Sequence, residues 1–559
     1  SVAGPSDASS VHPRMVTTAS LARVHAACWS ETMWPMRAVV LVGLLAVTLA
    51  SATPIGHAPP ISSAFVTHAP IAIAGNPAFT AANGVVSGSG IPADPYIISG
   101  WSINASSAVG IDVQNTTASF TIRDVDVHWG AVGGYAGIRF VNVANGIVEN
   151  SVLSNNTHGF RAQDSTNIAV ANSTFAANGI DLSGTSTFSV TDSNISFLKR
   201  QWGEFGLTLT NVVLGTISRN TMWNVAAGVY AVSGPSTVGS NLRETTIASN
   251  LIQTAQYGIV VNGSSDLKVL RNDFIATNPP NYYTGIAIWG PSSAGVVIAQ
   301  NNITRFSCGI QLIDVALAYV EGNNISYSRT ETMDTPGAAH APAQITGNTF
   351  WHNAHGFGGN YSGSLIYHNA FVNSTPMNVY GTAVWNDSYP TGGNYWSEYT
   401  GVDHCSGPLQ DVCTGPDGIG DTPFVVGANN IDHYPLMSMP GPFDYPPAAM
   451  FVISSSSPYA PATVRVDASG SWDLETAASS LQVRWDWNGD GVWDTAWSTI
   501  KTATHSYATP GPDHGLYHIV LEVRDGVGLT TNATQSVSVV APPPPPVAVT
   551  ISAHPTNGA

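Results

Sequence analysis

Short apolar runs that alternate with polar residues recur through the middle of this chain. Between Gly146 and Val379 an apolar residue is followed, after one or two positions, by Asn or once by Asp192. Successive repeats lie 20 to 30 residues apart, and most are close to 22. Such a period predicts a solenoid, in which each repeat stacks on its neighbours. The repeated asparagines, which we interpret as a structural ladder, are Asn150, Asn172, Asn220, Asn250, Asn272, Asn301, Asn323, Asn348 and Asn369.

The content of the repeats predicts strands. A second marker, Gly followed by an apolar residue, runs beside the Asn marker, as at Gly137-Ile138 and Gly159-Phe160. The apolar runs are rich in Val, Ile, Thr and Phe and end at Asn, Gly or Ser, which is strand-and-turn chemistry. A period of 22 residues holds three short strands and three corners, and Asn tolerates the left-handed backbone of a tight corner. The pattern therefore favours an all-β parallel β-helix of about 10–13 rungs over a β-propeller or a sandwich.

The composition bounds the partners and the location. Only 9% of the residues are charged, and 35 acidic residues against 18 basic ones give a net charge of −17. This balance argues against nucleic acid or an anionic membrane as a partner. Met36-Arg37, an apolar run from Ala38 to Ala50 and a small-residue site at Ala52 predict a signal peptide, with an uncleaved anchor as the alternative. We therefore expect an extracellular or cell-surface protein, which twelve Asn-x-Ser/Thr sites would allow to be a glycoprotein.

Shifts in composition divide the chain into segments. A Pro-rich joint precedes a region without the 22-residue period, and five consecutive prolines end that region. Cys405 and Cys413, eight residues apart in an exported protein, predict a disulfide. The predicted segments are an upstream extension (1–35), a signal peptide (36–52), a flexible lead (53–64), an N-terminal cap with the first strands (65–110), the β-helix (111–380), an aromatic and Asp-rich C-terminal cap (381–437), a linker (438–447), a β-sandwich (448–541), a polyproline spacer (542–546) and the start of a further domain (547–559).

Two stretches resemble known families. Gly88-Ser-Gly-Ile-Pro-Ala-Asp-Pro-Tyr-Ile-Ile98, the repeats, Asn394-Tyr-Trp-Ser397 and Asp417-Gly-Ile-Gly-Asp-Thr-Pro423 resemble NosD-type proteins, also described as carbohydrate-binding and sugar-hydrolysis repeats. That resemblance covers about 65–437 and implies a right-handed β-helix with a pectin-lyase-like fold. Trp485-Asp-Trp-Asn-Gly-Asp-Gly491 and Tyr517-His-Ile-Val-Leu-Glu-Val-Arg-Asp525 resemble a PKD domain, an immunoglobulin-like sandwich, over about 446–541. Such modules are usually extracellular spacers or adhesive units.

Two metals are candidates. Oxygen-bearing residues at alternate positions suit Ca²⁺ at Asp486, Asn488, Asp490 and Asp494, although Trp497 stands where an EF-hand has Glu. Asp411, Asp417 and Asp421 form a second calcium candidate, for which an Asx-turn scaffold is the alternative. NosD-type proteins are associated with copper, which imidazole ligands suit, and the candidates are His352, His355 and His368. Scattered surface histidines are the competing interpretation.

The rungs also carry candidate residues for sugar chemistry. A hydrolase needs paired carboxylates facing one groove, and alternation would put Asp124 and Asp126 on one strand face, with Asp164 and Asp181 one or two rungs away. A ladder of solvated turn carboxylates is the alternative. Aromatic side chains that could stack on sugars are Trp129, Trp202, Trp223, Tyr282, Tyr283 and Trp289.

The sequence therefore favours a non-enzymatic, exported rod. We expect it to bind a polysaccharide, a cell-surface glycan or other surface proteins, with the second domain holding the β-helix away from the cell. Membrane contact would come only from an uncleaved signal or an anchor outside this chain. The alternatives are a polysaccharide lyase or glycoside hydrolase, and a periplasmic copper accessory protein.

Overall fold

The chain divides into two compact units, Ser1–Gly441 and Pro442–Ala559, and the division falls within the predicted linker. The predicted signal peptide, Trp202, Tyr282 and the segment 547–559 lie outside the described residues. A computed structural model describes residues 65–197, 203–232, 242–277, 283–290, 293–335, 342–374, 379–427, 429–440, 447, 449–455, 459–471, 473, 476, 478–513 and 515–542.

The first unit is a parallel β-helix, which confirms the predicted fold class. Apolar residues alternate with polar ones along each short strand, and the apolar ones face inward; Ile111, Val113 and Thr116 are buried on one such strand. Three strands per turn pair in parallel with the same three strands of the next turn, which generates three long sheets. Phenylalanines of consecutive turns contact inside the helix, with ring centroids 5.1 Å apart for Phe120 and Phe140 and 5.0 Å for Phe140 and Phe160.

The three sheets run the length of this unit, and two 12-residue strands pass through the corner that joins sheets 1 and 2. Sheet 1 contains Val66–His68, Trp101–Asn104, Asp126–His128, Val152–Ser154, Thr174–Ala176, Asn194–Ser196, Thr221–Val232, Leu251–Asn262, Asp273–Ala276, Asn302–Thr304, Asn324–Ser326, Thr349–Trp351, Ala370–Val372 and Tyr395–Trp396. Sheet 2 contains Ile71–Ala74, Ile111–Thr116, Ile138–Val143, Phe160–Gln163, Ile180–Ser183, Phe205–Thr210, the second halves of Thr221–Val232 and Leu251–Asn262, Thr284–Trp289, Cys308–Ile313, Glu331–Thr335, Phe357–Asn360 and Val379–Tyr380. Sheet 3 contains Val85–Ser87, Tyr96–Ser99, Phe120–Arg123, Gly146–Glu149, Thr166–Ala171, Ser186–Thr191, Val212–Ser218, Leu242–Arg243, Thr246–Ala248, Ser264–Ser265, Lys268–Leu270, Ala294–Ala299, Ala316–Glu321, Ala343–Thr346 and Leu365–Tyr367.

Parallel stacking extends beyond the predicted limits of 111 and 380. Val66–His68 already pairs in parallel with residues 101–103, and Tyr395–Trp396 pairs in parallel with residues 370–371. The cap at the start is smaller than expected and contains the antiparallel pair Val85–Ser87 and Tyr96–Ser99. The first turn has no ladder asparagine, and Asn394 in the last turn lacks the apolar residue that precedes the other ladder asparagines, so the repeat could not be recognised there from the sequence.

The Gly marker has a packing reason. At Gly179, a Cβ atom would lie 2.2 Å from the carbonyl oxygen of Phe205 on the next turn, and at Gly206 it would lie 2.6 Å from that of Gly228. These glycines stack on one another where the chain enters sheet 2. Glycine is required at this corner because the turns approach too closely for a side chain.

A buried ladder of hydrogen bonds follows the corner between sheets 3 and 1. Asn250 illustrates one step: its N–H and Nδ2 donate to Oδ1 of Asn272, at 3.0 and 2.9 Å, and its Nδ2 also donates to the carbonyl oxygen of Ile217. Every member is at most 1% exposed, so these bonds satisfy polar groups that water cannot reach. The asparagines of this inner ladder are Asn220, Asn250, Asn272, Asn301, Asn323, Asn348, Asn369 and Asn394.

Asn150 and Asn172 stack on each other, but outside the buried inner ladder. Both have positive φ and occupy the outer corner, where Nδ2 of Asn172 donates to Oδ1 of Asn150 at 2.6 Å in an exposed bond. Asn172 is therefore exposed rather than buried. The inner ladder continues one residue later through Ser151, Ser173 and Ser193, whose hydroxyls lie where the later turns have an amide. Asp192, at the same outer corner, pairs with Arg219.

The ladder ends at a buried carboxylate in the C-terminal cap. Asn394 N–H and Trp396 Nε1 donate to Oδ2 of Asp432 at 2.8 and 2.9 Å, and Tyr434 N–H donates to Oδ1 at 3.1 Å. Burial raises the pKa of Asp432 to about 6, although these hydrogen bonds oppose the rise. Trp396 stacks on Phe371 at 4.3 Å and covers the end of the core. Asn394-Tyr-Trp and Ile431-Asp therefore act together as the cap.

The predicted disulfide Cys405–Cys413 is confirmed, and it lies in a scaffold of Asx turns. The carboxylate of Asp421 accepts hydrogen bonds from the N–H groups of His404 and Cys405, and that of Asp403 accepts from Asp417 and Gly418. These carboxylates are used in holding the loop.

The second unit contains two antiparallel three-stranded sheets around one core. The sheets consist of Val452–Ser455, Ala462–Asp467 and Thr502–Tyr507, and of Gln482–Asp486, Leu516–Arg524 and Thr530–Ser538. Val464 and Tyr507 from the first sheet and Trp485 and Leu521 from the second belong to the same buried cluster. The narrower assignment to the PKD type stays a prediction.

Candidate functional site

The outward positions of sheet 2 bring charged residues from four consecutive turns into one row. Parallel pairing places Asp112 beside Arg139, Arg139 beside Arg161, and Arg161 beside Asp181. All four alternate with buried apolar neighbours and are partly exposed. This charged row, Asp112–Arg139–Arg161–Asp181, has two cations flanked by two carboxylates, so its formal charges cancel.

The first half of the charged row is a two-point ion pair. Arg139 Nε donates to Asp112 Oδ1 at 2.9 Å, and Arg139 Nη2 donates to Asp112 Oδ2 at 2.6 Å. Gln114 Nε2 donates to the same carboxylate at 2.8 Å. The hydrogen bond with Asp112 raises the pKa of Arg139, so its guanidinium stays protonated. A planar group held in this way is pre-organised for hydrogen bonding.

The second half adds an imidazole. Arg161 Nε lies 3.1 Å from Asp181 Oδ2, and His158 Nε2 lies 3.9 Å from the same oxygen. Burial lowers the pKa of His158; Asp181 opposes this effect and the charge of Arg161 adds to it. His158 is therefore neutral at pH 7 and can donate or accept hydrogen bonds at the edge of the row.

An aromatic pair continues the same face. Thr208 follows Asp181 in the row, and Tyr230 follows Thr208. The ring of Tyr230 stacks on Phe205, with centroids 4.1 Å apart and planes at 9°, and burial raises the pKa of Tyr230. The next two residues in register after Tyr230 are Val260 and Ala287, and both are buried in a second apolar cluster. The exposed part of the row therefore ends at Tyr230. The open part of the face thus passes from charged pairs to an aromatic pair.

The four predicted catalytic carboxylates lie on different sides of the β-helix. Asp126 lies on sheet 1 and Asp181 on sheet 2. Asp124 and Asp164 have φ of 50° and 49° and occupy two different corners. Asp124 is the corner residue before the strand that Asp126 begins, which corrects the placement of both on one strand. The structure brings none of the four together with another in a shared groove.

The aromatic candidates divide by exposure. Trp129 and Trp223 are 55% and 51% exposed. Trp289 is buried in the second apolar cluster, where its Nε1 has no hydrogen-bond partner among the described residues, and Tyr283 is half-buried against the main core. Exposed aromatics that the sequence did not single out include Tyr327 and Trp351.

The metal candidates are engaged in local contacts. His352 stacks on Tyr327, and His368 Nε2 lies 2.9 Å from the carbonyl oxygen of Thr391. Within the ranges described above, no three His, Cys, Asp or Glu side chains form a group that could hold a metal ion. The structure thus does not bring His352, His355 and His368 together as one site.

The calcium candidate in the second unit is a network of turns. Asp486 is 2% exposed, and its carboxylate accepts hydrogen bonds from the N–H groups of Asn488, Gly489 and Gly491. Asp494 accepts from Trp487 N–H at 2.7 Å. Asn488 Nδ2 donates to Asp490 at 2.9 Å. These contacts fold the loop through hydrogen bonds among its own residues.

Two family models match the first unit. Residues 83–290 match the periplasmic copper-binding protein NosD, and residues 238–395 match the right-handed β-helix region. The first unit is therefore a right-handed β-helix, and the charged row lies entirely within the NosD match. A search of curated proteins gave no significant match.

Solved structures match this chain at low identity and low TM-score. An alginate lyase from Paenibacillus sp. is 14% identical over 52% of this chain and 97% of its own, with a TM-score of 0.32. A mutant of the periplasmic alginate epimerase AlgG is 14% identical over 54% and 78%, with a TM-score of 0.34. The surface adhesin PfbA of Streptococcus pneumoniae is 11% identical over 53% and 83%, with a TM-score of 0.31. Among the described residues, no helix has the length and apolar character needed to cross a membrane.

Proposed function

We propose that this chain is an exported β-helix protein that binds a neutral polysaccharide along the open face of sheet 2. The observation that carries the proposal is the in-register charged row and its continuation into the stacked Phe205–Tyr230 pair. Ion-paired side chains held in fixed orientations offer hydrogen bonds to hydroxyl groups, and aromatic rings offer apolar contact to sugar rings. Residues on consecutive turns repeat every 4.8 Å or so, which suits a linear polymer lying along the rod.

Charge favours a neutral ligand over an acidic one. The charged row sums to zero, and the net charge of −17 would repel a polyanion. Each arginine already contacts a carboxylate, so neither offers an uncompensated cation to an acidic sugar. We therefore expect hydroxyl-rich, uncharged chains to bind best.

The spacing of the carboxylates in the charged row supports binding without cleavage. Asp112 and Asp181 lie three turns apart, which is roughly 14 Å at the usual strand spacing. Glycosidases hold their two carboxylates about 5 to 9.5 Å apart. Arg139, with its raised pKa, does not give up a proton and cannot serve as the base of a lyase.

The test is retention on a panel of insoluble neutral and acidic polysaccharides, with detection of new reducing and unsaturated ends. We expect retention on a neutral polymer, and Arg161→Ala to weaken it about tenfold through the loss of the hydrogen bonds to one sugar unit. Arg123→Ala is the matched control, because Arg123 is equally exposed but lies on sheet 3. New chain ends, or equal losses from both variants, would overturn the proposal.

A copper-related role is the second candidate, and the NosD match favours it. Within residues 83–290 the histidines are His128 and His158, and each lies near an aspartate: 3.4 Å from Asp126 and 3.9 Å from Asp181. Imidazole and carboxylate are both ligands for Cu²⁺. Titration with Cu²⁺ followed by electron paramagnetic resonance tests this role. Signals that His128→Ala and His158→Ala leave unchanged would count against it.

We propose that the second unit is an extracellular spacer that binds Ca²⁺ at the Asp486 loop. Isothermal titration of the full chain with Ca²⁺ should give one binding event that Asp490→Asn removes. Asp513→Asn, at an exposed carboxylate paired with His518, is the control. Absence of heat at millimolar Ca²⁺ would show that the turn network alone holds the loop.

A further inference from the structure

The corner between sheets 1 and 2 has an unusual set of residues near the C-terminal end of the β-helix. Arg305, Tyr327, His352 and Asn373 occupy the same position on four consecutive turns, each directly after a strand of sheet 1. All four have a left-handed backbone, with φ of 68°, 57°, 51° and 48°. Elsewhere at this corner the position is filled by Asn155 and Ala177, and also by Trp129.

The left-handed backbone makes Tyr327 an uncommon choice at this corner. Steric repulsion between Cβ and the carbonyl disfavours this conformation for most residues other than Gly, whereas Asn, Asp and His tolerate it better. Asn373 at the same corner shows that the fold accepts Asn there. A binding site at this corner therefore rests on the exposure and contacts of the rings.

The rings of Tyr327 and Trp351 are not part of the buried core. Tyr327 is 55% exposed, and its neighbour Trp351 is 38% exposed. The Tyr327 and His352 rings stack with centroids 5.9 Å apart and planes at 15°, and Trp351 lies 5.1 Å from His352. The ring of His352 thus contacts those of Tyr327 and Trp351, and all three residues are exposed.

Polar residues occupy the same corner. Nδ2 of Asn373 lies 3.3 Å from Nε2 of His352, so amide and imidazole are held beside each other. Arg305 occupies the same corner position on the turn before Tyr327. Rings flanked by hydrogen-bonding groups suit a ligand with an apolar ring face and a hydroxyl rim.

We propose that this aromatic corner, formed by Arg305, Tyr327, Trp351, His352 and Asn373, is a second carbohydrate site that binds a pyranose ring by stacking. The occupant is an oligosaccharide rather than an apolar peptide, because the amide of Asn373 lies beside the ring of His352 and all three rings are exposed. This proposal rests on the proposed function, and it adds a contact outside the face of sheet 2. A chain that binds both places would be held along the rod by two attachments.

Replacing Tyr327 by asparagine separates the effect of backbone strain on stability from the effect of the ring on ligand binding. Tyr327→Asn replaces the ring with a residue that the corner accepts readily, so we expect the protein to unfold at the same or a higher temperature. We also expect it to bind soluble neutral hexasaccharides of glucose, xylose or mannose about tenfold more weakly, with the loss of one stacking contact. Tyr327→Trp should retain binding. Tyr319→Asn is the matched control, since Tyr319 is an exposed aromatic on sheet 3 with ordinary backbone.

Parallel titration of Arg161→Ala distinguishes the two proposals. If Tyr327→Asn weakens binding and Arg161→Ala does not, the aromatic corner is the site and the charged row is not. The reverse result overturns the inference and leaves the proposed function standing. A lower unfolding temperature for Tyr327→Asn would show that Tyr327 serves packing, and wild-type protein that binds none of the hexasaccharides would overturn both proposals.

Discussion

Asn301 is a buried step of the inner ladder, and its replacement by alanine tests what the ladder contributes. Asn272 donates both its N–H and its Nδ2 to Oδ1 of Asn301, at 2.9 and 3.0 Å. Asn301→Ala leaves these two donors buried without an acceptor, at about 1–3 kcal/mol each, so the unfolding free energy should fall by roughly 2–6 kcal/mol. The carbonyl oxygens of Val269 and Ala299 also lose the Nδ2 donor.

The adjacent residue provides the control. Asn302 points outward on sheet 1 and makes two exposed side-chain bonds: its Nδ2 donates to Asp273 at 3.1 Å, and its Oδ1 accepts from Asn324 at 3.2 Å. Asn302→Ala should change stability by less than about 0.5 kcal/mol. Asn301→Ser should fall between the two, because Ser151, Ser173 and Ser193 fill this position in the earlier turns.

The assay is guanidinium unfolding followed by tryptophan fluorescence, with amide hydrogen exchange to locate the loss. Since each turn contacts only its neighbours, increased exchange should centre on the turns that contain Asn272, Asn301 and Asn323. Equal stability of Asn301→Ala and Asn302→Ala would refute the reasoning, because it would mean that water satisfies the exposed partners.

Three further predictions concern other parts of the chain. Burial raises the pKa of Asp432 from 3.8 to about 6, so the folded state holds this proton more tightly than the unfolded state. The stability that Asp432 contributes should be greatest below pH 4 and should fall by roughly 3 kcal/mol as the pH rises through 6. In pH-dependent unfolding, Asp432→Asn should remove this fall. Replacing Cys405 and Cys413 with alanine should cost about 2–3 kcal/mol locally, seen as faster amide exchange at His404, and unchanged exchange would contradict it. The ring of Trp497 contacts the guanidinium groups of Arg484 and Arg524, which lie 4.5 and 4.3 Å from its centroid. Trp497→Ala should therefore lower the stability of the second unit by about 1–2 kcal/mol in thermal unfolding. Trp493→Ala, which loses only the contact with Arg484, should cost less.

The phase of the ladder shows where sequence reasoning failed. The outer corner and the inner ladder are adjacent positions, and both favour Asn, the outer for its backbone and the inner for its amide. In the turns of Asn150 and Asn172 the amide stands at the outer position and a serine at the inner one. The period was therefore predicted correctly, while the phase in those turns depended on pairing with the next turn.

The charged row was within reach of the sequence. Each member is the second residue after a marker glycine, as in Gly137-Ile-Arg139, Gly159-Phe-Arg161 and Gly179-Ile-Asp181. Aligning the repeats on glycine rather than on asparagine would have placed these residues side by side. Grouping carboxylates by sequence distance instead combined Asp124, Asp126, Asp164 and Asp181, which face different directions.

The period, the strand character, the cap motifs and the disulfide could be predicted from the sequence, because they depend on local backbone preference and on spacing. The neighbours of a residue across turns depend instead on the folded structure. Loops of different length separate the strands, so residues 20 to 30 positions apart meet only after parallel pairing sets the register. The charged row and the aromatic corner both arise from that register, since each gathers one residue per turn onto a shared line.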